Sequence, residues 1–261
     1  MAHRYPEDGP ERWTRQRVLE AFRGWQAEEP EHAGVLDAEA LGYVRYHALR
    51  YARLLTVVGE TATPTPARPP HILDVGPNVQ TALLRRAHPE AVVDTLGFAH
   101  PAVPPRAHER HVRFDLNEAV DPQRRPELER RYDVIVLAEV IEHLHTPPAA
   151  VLEYLGGSLD ASGVIVLQTP NGAALHKRLA LLRGRNPVEP PRACRENPGH
   201  VHEYTLAELA GQVRDGGLRV LGLKTENYFG SGPAAELYRR LGRLLPPTVR
   251  HGVTLCAGVS S

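Results

Sequence analysis

Two apolar runs rich in β-branched residues, each cut off abruptly by polar ones, constrain this chain more than any other feature. The first is Tyr132-Asp-Val-Ile-Val-Leu-Ala138, followed at once by Glu139-Val-Ile-Glu142-His143-Leu-His145. The second is Gly163-Val-Ile-Val-Leu-Gln-Thr-Pro-Asn171. Runs that are apolar at nearly every position suit strands covered on both faces, as in a parallel sheet. The polar residues then mark the carboxyl ends of those strands, where open α/β sheets bind their ligands.

Strand-like and helix-like segments alternate around these runs. Strands are expected at Ile72–Val75, Ala91–Leu96, Val112–Phe114, Asp133–Ala138, Val164–Gln168, Leu218–Leu223 and Gly252–Ala257. Helices are expected at Thr81–Ala87, at Ala149–Leu155 before the stop signal Gly156-Gly157, and around Ala173–Leu182. Thr205-Leu-Ala-Glu208 is a capping box that opens one more helix, ended by Gly216-Gly217. Such alternation predicts a doubly wound α/β fold, a mostly parallel sheet with helices on both faces.

Residues 1–60 read as a helical N-terminal extension. Its first part is polar, with Trp13, Phe22 and Trp25 as anchors for short helices. Leu41, Val44, Ala48, Tyr51, Leu55 and Val58 then recur three and four apart, the stripe of an amphipathic helix. That helix packs on the main domain; a lid and a dimer contact are the other roles open to it. Residues 61–70 hold repeated prolines that cannot continue it, and form a linker. The main domain is expected at 71–261.

Lys plus Arg equals Asp plus Glu at 31 each, so no global charge draws the chain to nucleic acid or an anionic membrane. Two cysteines, Cys194 and Cys256, cannot build a disulfide framework or a zinc pair. No signal-peptide core and no apolar stretch of membrane-spanning length is visible, so a cytoplasmic location is expected. Abundant Arg, Ala, Pro and Gly with a single Met resembles the output of a GC-rich bacterial genome.

The wording of the two runs, with His71-Ile-Leu-Asp-Val-Gly76 upstream, resembles the class I S-adenosylmethionine-dependent methyltransferases over roughly residues 70–258. The resemblance implies a Rossmann-like, seven-stranded sheet whose last strand, around Val253-Thr-Leu-Cys-Ala257, is antiparallel. It also implies S-adenosylmethionine as cofactor. In Asp74-Val-Gly76-Pro-Asn78-Val-Gln80 only the first of the family's three glycines is present. Gly76 allows a sharp turn and close backbone approach, and Asn78 tolerates left-handed backbone. The acid that binds the ribose hydroxyls is either Asp94, about twenty residues after Asp74, or has been replaced at Gly97. Phe114-Asp115-Leu116 resembles the adenine-binding element, with Asp115 accepting from the exocyclic amine; as a residue alone, Asp115 also suits a helix N-cap.

In the second half, Glu139, Glu142 and His143 would share one face if Glu139–Leu144 were a helical turn. Two carboxylates and an imidazole together call for a cation or a shared proton; a solvated first turn that favours the helix dipole is the plain alternative. Glu-x-x-Glu-His at this position is similar to ubiquinone-biosynthesis O-methyltransferases and to small-RNA 2′-O-methyltransferases. In the RNA enzymes it joins a later His to hold a divalent metal. Here His200, with His202 as neighbour, matches that His. The metal set would be Glu139, Glu142, His143 and His200, with magnesium or manganese suited to it. Without metal, His143 has the ordinary pKa of a general base for O-methylation, assisted by Glu142. Asn171 either bonds substrate or cofactor or caps the next helix. Leu175–Arg185 is basic and amphipathic, an anion site or a solvated face with its leucines packed below; the loop 183–198 would cover the site, and the 228–247 insertion would shape it.

The expected function is methyl transfer from S-adenosylmethionine to an oxygen of a small molecule or glycan, in bacterial secondary-metabolite or cell-envelope biosynthesis. Two other readings stay open. One is a metal-dependent RNA 2′-O-methyltransferase, against which charge neutrality argues. The other is a protein of this fold that binds its ligand without methyl transfer, as a binding module or a repurposed cyclase.

Overall fold

The strands divide their side chains alternately between two cores. Ile72, Val134, Val136, Val164 and Val166 point to one face, while Leu73, Val75, Ile135, Leu137, Ile165 and Leu167 point to the other. Both sets are buried, which is why the runs read as continuously apolar. The structure, a computed structural model, describes residues 12–28, 38–62, 68–98, 103–194, 198–229 and 233–259.

Seven strands form one sheet in the spatial order β3-β2-β1-β4-β5-β7-β6. They are β1 (His71–Val75), β2 (Val92–Gly97), β3 (His111–Arg113), β4 (Tyr132–Ala138), β5 (Leu159–Pro170), β6 (Leu218–Glu226) and β7 (Gly252–Val259). All pairings among β1 to β5 are parallel, and β7 runs antiparallel to both β5 and β6. The doubly wound, mostly parallel sheet with an antiparallel last strand is therefore as expected. Strand β5 is longer than the apolar run, because Thr169 and Pro170 continue to pair with Val253 and Gly252.

Helices α1 (Arg15–Glu28), α2 (Ala38–Thr61) and α3 (Val79–Ala87) cover one face. Val18, Phe22 and Trp25 of α1 and Val44, Ala48, Tyr51, Leu55 and Val58 of α2 are buried in the same core as that sheet face. The helical extension is thus continuous with the sheet's packing. Of the proline-rich linker, residues 63–67 lie outside the described residues. Helices α4 (Pro148–Gly156) and α6 (Leu206–Asp215) pack on the other face. Thr205 and Glu208 form the expected capping box at the start of α6. Helix α5 (Leu175–Leu182) follows β5, and α7 (Pro233–Gly242) lies in the 228–247 insertion.

Strand order reverses between β1 and β4, since β1 feeds β2 and β3 on one side and β4 begins the other. Val75 pairs with Leu137, so Gly76 and Glu139 emerge side by side at the carboxyl edge of this switch point. Ligands of open α/β sheets bind there.

Candidate active site

Past β1 the chain turns at Gly76, whose φ of 75° is left-handed backbone that glycine accepts without strain. A Cβ at this position would sit 3.0 Å from Val140 Cγ2, so Gly76 also lets the loop after β4 approach closely. Asn78 departs from expectation. Its φ is −154°, extended rather than left-handed, and its Oδ1 accepts from Gln80 N at 2.8 Å as the N-cap of α3. An asparagine that caps needs no unusual backbone.

Asp74 is fully buried within β1, where Gln80 Nε2 and Thr81 Oγ1 each donate to it at 2.7 Å. Burial pushes its carboxyl up to about 6 despite those two bonds. Gln80 in turn accepts from Arg50 Nη1 at 3.3 Å, and Arg50 Nε donates to His47 Nδ1 at 3.3 Å. Arg50, almost completely buried on α2, is thereby tied to the first turn of α3. Nothing in the apolar stripe of α2 distinguishes it as a site residue.

Asp94 does not reach the edge. It stands mid-strand in β2, 1% exposed, where Arg130 Nη1 donates to both its oxygens at 2.7 and 3.0 Å. The Tyr132 hydroxyl at 3.0 Å and Arg110 N at 2.8 Å complete its partners. The strand ends three residues later at Gly97, so the spacing that suggested a ribose ligand instead serves a buried ion pair. Asp115 caps a 3₁₀ turn, accepting from Asn117 N at 3.0 Å, with Leu116 buried beside it.

The segment after β4 is not one helical turn. Glu139 has a φ of 55°, and only Ile141–His143 form a short 3₁₀ turn. The left-handed residue takes Glu139 out of the turn that holds Glu142 and His143. Glu139 Oε1 is buried with no hydrogen-bond partner, and its field reaches Tyr43, Tyr46 and Arg50 of α2. Burial holds its carboxyl above the ordinary range against the pull of Arg50 and Lys177.

Glu142, His143 and His200 do come together, with one ligand atom from each lying within 4.8 Å of the others. His143 Nδ1 lies 2.9 Å from the carbonyl of Gly199. A carbonyl only accepts, so Nδ1 carries the proton and Nε2 is the free nitrogen. His200 Nδ1 lies 2.7 Å from Glu203 Oε1, and the two imidazoles meet edge to face at 4.9 Å. Burial lowers the pKa of His143, and lowers His200 to about 4. Glu142 is completely buried; Thr169 Oγ1 donates to its Oε2 at 3.0 Å while Oε1 has no partner. Burial and then the neighbouring Glu139 raise its pKa well above the ordinary value. The backbone amides of Val201 and His202 donate to the Glu142 carbonyl at 2.7 and 3.2 Å, which fastens the distant His200 loop here. The side chain of His202 stays exposed, near Glu208.

His143 and His200, but not the buried Glu142, border a cavity of about 580 Å³ whose walls also include Tyr46 and His47 of α2, Glu139 and Lys177. Pro187, Val188, Glu189 and Arg192 from the loop after α5 also line it, while residues 195–197 of that loop lie outside the described residues. Lys177 and Glu203 were not singled out from the sequence. Lys177 is 6% exposed and ion-paired with Glu203, and burial draws its pKa down to about 8. The leucines of the same helix behave contrary to the solvated-face reading, since Leu181 and Leu182 are 61% and 83% exposed. Asn171 does not cap α5, whose N-cap is Ala174 without a side-chain bond; its Oδ1 accepts from Ala173 N at 2.9 Å just ahead of the helix, and its Nδ2 donates to the carbonyls of Thr248 and Arg250.

A family profile described as "Methyltransferase domain" matches residues 43–223. No curated protein matches the sequence significantly. Among solved structures, an S-adenosylmethionine-dependent methyltransferase from Clostridium acetobutylicum is similar at TM-score 0.54 and 9% identity, over 82% of this chain and 92% of that one. A SAM-dependent methyltransferase from Archaeoglobus fulgidus gives TM-score 0.53 at 14% identity, over 85% of this chain and 99% of that one. The CcbJ methyltransferase from Streptomyces caelestis gives 0.50 at 16% identity, over 81% and 95%. At such identities the likeness shows the fold.

Proposed function

The chain belongs to the S-adenosylmethionine-dependent methyltransferases, and from that premise we propose that it methylates an oxygen of a small molecule or glycan, with His143 as general base. The observation that carries this reading is the tautomer of His143: its Nδ1 proton is committed to Gly199, which leaves Nε2 unprotonated on a side chain that lines the cavity.

The carboxyl edge suits the cofactor. Gly76 opens the turn after β1, and Glu139 brings a buried oxygen without a partner, beside the buried Arg50 cation. Arg50 would meet the carboxylate of the cofactor's methionyl end and Glu139 its ammonium. Asp74 and Asn78 act one step back, by holding Gln80, Thr81 and the start of α3. Asp115 and Leu116 stand at the end of β3 for the adenine. When bound, S-adenosylmethionine supplies a methyl group on a sulfonium sulfur, which keeps the bonding electron pair as the methyl departs.

The protein's share is to place an acceptor hydroxyl in line and to take its proton at His143 Nε2 as the new C–O bond forms. The lowered pKa of His143 keeps that nitrogen available at neutral pH. Tyr46, Phe229 and the loop after α5 would exclude water. His143→Ala should reduce turnover by roughly 10² to 10⁴ with cofactor affinity little changed. An unaltered turnover would remove His143 from the reaction.

A second reading rests on the triad itself. Glu142, His143 and His200 would hold one small divalent cation, magnesium or manganese, through the unpartnered Glu142 Oε1 and the two Nε2 atoms, since both Nδ1 atoms face acceptors. A cation there would grip the acceptor's oxygens and acidify its hydroxyl.

A further inference from the structure

A second cavity, of about 570 Å³, lies at another face of α2 and shares no lining residue with the histidine cavity. Leu49, Ala52, Arg53 and Thr56 of α2 face it, whereas Tyr43, Tyr46 and His47 face the histidine side. Tyr228 lines one cavity and Phe229 the other, so this short segment after β6 is their common wall.

The charge in this hollow is one-sided. Arg12, Arg53, Lys224, Arg239, Arg243 and Arg250 line it; among the described residues Glu226 is the one carboxylate in the lining, and Glu236 engages Arg239 at 2.9 Å from beside it. The whole chain carries equal numbers of basic and acidic residues, so the excess reflects placement rather than composition. Glu226 is already engaged by Arg53 at 2.5 Å, with Lys224 3.8 Å away. Arg250 donates to the backbone carbonyls of Thr225, Arg243 and Leu245, which holds its guanidinium in position without neutralising it. Among the described residues the Arg243 side chain has no hydrogen-bond or ion-pair partner.

The site is held in place from several directions. A Cβ on Gly242 would collide with Asn227 Nδ2, so the end of α7 is seated directly on the segment that follows β6. Asn227 Oδ1 accepts from His251 N at 2.9 Å, and Tyr228 donates to the Val253 carbonyl at 3.0 Å. Cations that converge from α2, β6, α7 and the approach to β7 suit an anion with oxygens on several sides. Guanidinium forks match phosphate in this way, and a single carboxylate would leave most of them unused. Trp13, Leu49 and Ala52 give the same hollow an apolar wall.

We propose that this hollow binds a phosphate-bearing small molecule at a site separate from the methyl-transfer cavity. It holds whichever acceptor the enzyme methylates.

Pyrophosphate is the probe. Titrated calorimetrically into the full-length protein, it should bind saturably, and it should raise the melting temperature beyond sodium chloride of equal ionic strength. Lys224→Gln and Arg243→Ser should each weaken pyrophosphate binding by roughly tenfold. Both variants should bind S-adenosylhomocysteine like the unmodified protein, which shows that they are folded. His143→Ala should bind pyrophosphate unchanged. Stabilisation no greater than that of sodium chloride, full affinity in Lys224→Gln and Arg243→Ser, or displacement of pyrophosphate by S-adenosylhomocysteine would each overturn the proposal.

Discussion

His143 donates its Nδ1 proton to the carbonyl oxygen of Gly199, 2.9 Å away and 56 residues later in the chain. The bond joins the turn after β4 to the loop before α6, and it decides which nitrogen of the imidazole is free. The same approach brings His200 next to Glu142, so the proposed base and the proposed cation set draw on the same side chains.

Chelation separates the two. If His143 acts as base alone, EDTA leaves turnover unchanged and Glu142→Gln has a small effect. If a cation acts, EDTA abolishes turnover, added magnesium or manganese restores it, and Glu142→Gln is as damaging as His143→Ala. Full activity of His143→Ala in EDTA would sink both.

Gly76→Val should weaken the cofactor and the fold together. Left-handed backbone is unfavourable for a residue with a Cβ by roughly 1–2 kcal/mol, and the new atom would press on Val140 Cγ2 at 3.0 Å. We expect a lower melting temperature and loss of calorimetric binding of S-adenosylhomocysteine. Wild-type affinity in this variant would show that the loop does not carry the cofactor.

Arg50→Met removes the buried cation bound to Gln80 while keeping much of the side chain's volume. Cofactor affinity should fall by at least roughly tenfold, as expected when a charged hydrogen bond is lost. A variant that melts normally and binds normally would refute the role given to Arg50.

Asp94→Asn tests the opposite case. Neutralising the carboxylate that meets the partly exposed Arg130 should destabilise the protein by roughly 1–3 kcal/mol, read by urea denaturation. Affinity for S-adenosylhomocysteine in the folded protein should be retained. A selective loss of affinity with unchanged stability would return Asp94 to the ribose.

His251 predicts an acid weakness. Burial, then His176 and Lys177, lowers its pKa to about 4, whereas an unfolded His titrates near about 6.5. Between those values the unfolded chain binds the extra proton, so stability falls as pH drops from 6.5 toward 4. His251→Gln removes this contribution, and its melting temperature should fall less between pH 7 and pH 5 than that of the unmodified protein. An equal fall in both would contradict the buried, neutral state of His251.

How far the site could be read from sequence depends on the range of each interaction. Glu142, His143 and His200 stood out because Glu-x-x-Glu-His follows an apolar strand and a second histidine precedes a capping box. Lys177 was hidden in a run whose basic residues suggested a solvated face, and only burial against Glu203 distinguishes it. Arg50 was hidden in the same way, since Gln80, the partner that ties it to the site, lies 30 residues away on α3. Asp94 misled through spacing alone, because Arg130 and Tyr132 come from more than thirty residues away.

The sequence by itself determined the class of fold. The apolar runs, the capping box at Thr205 and the glycine stops are local signals, and strand, helix and turn preferences act over a few residues. Which buried charges meet was decided only by tertiary structure. The left-handed turn at Glu139, the capture of Asp94 by Arg130, and the gathering of cations around Glu226 all depend on elements brought together by the folded sheet. Their energies come from burial and from charge at short range, and neither exists until the chain has closed on itself.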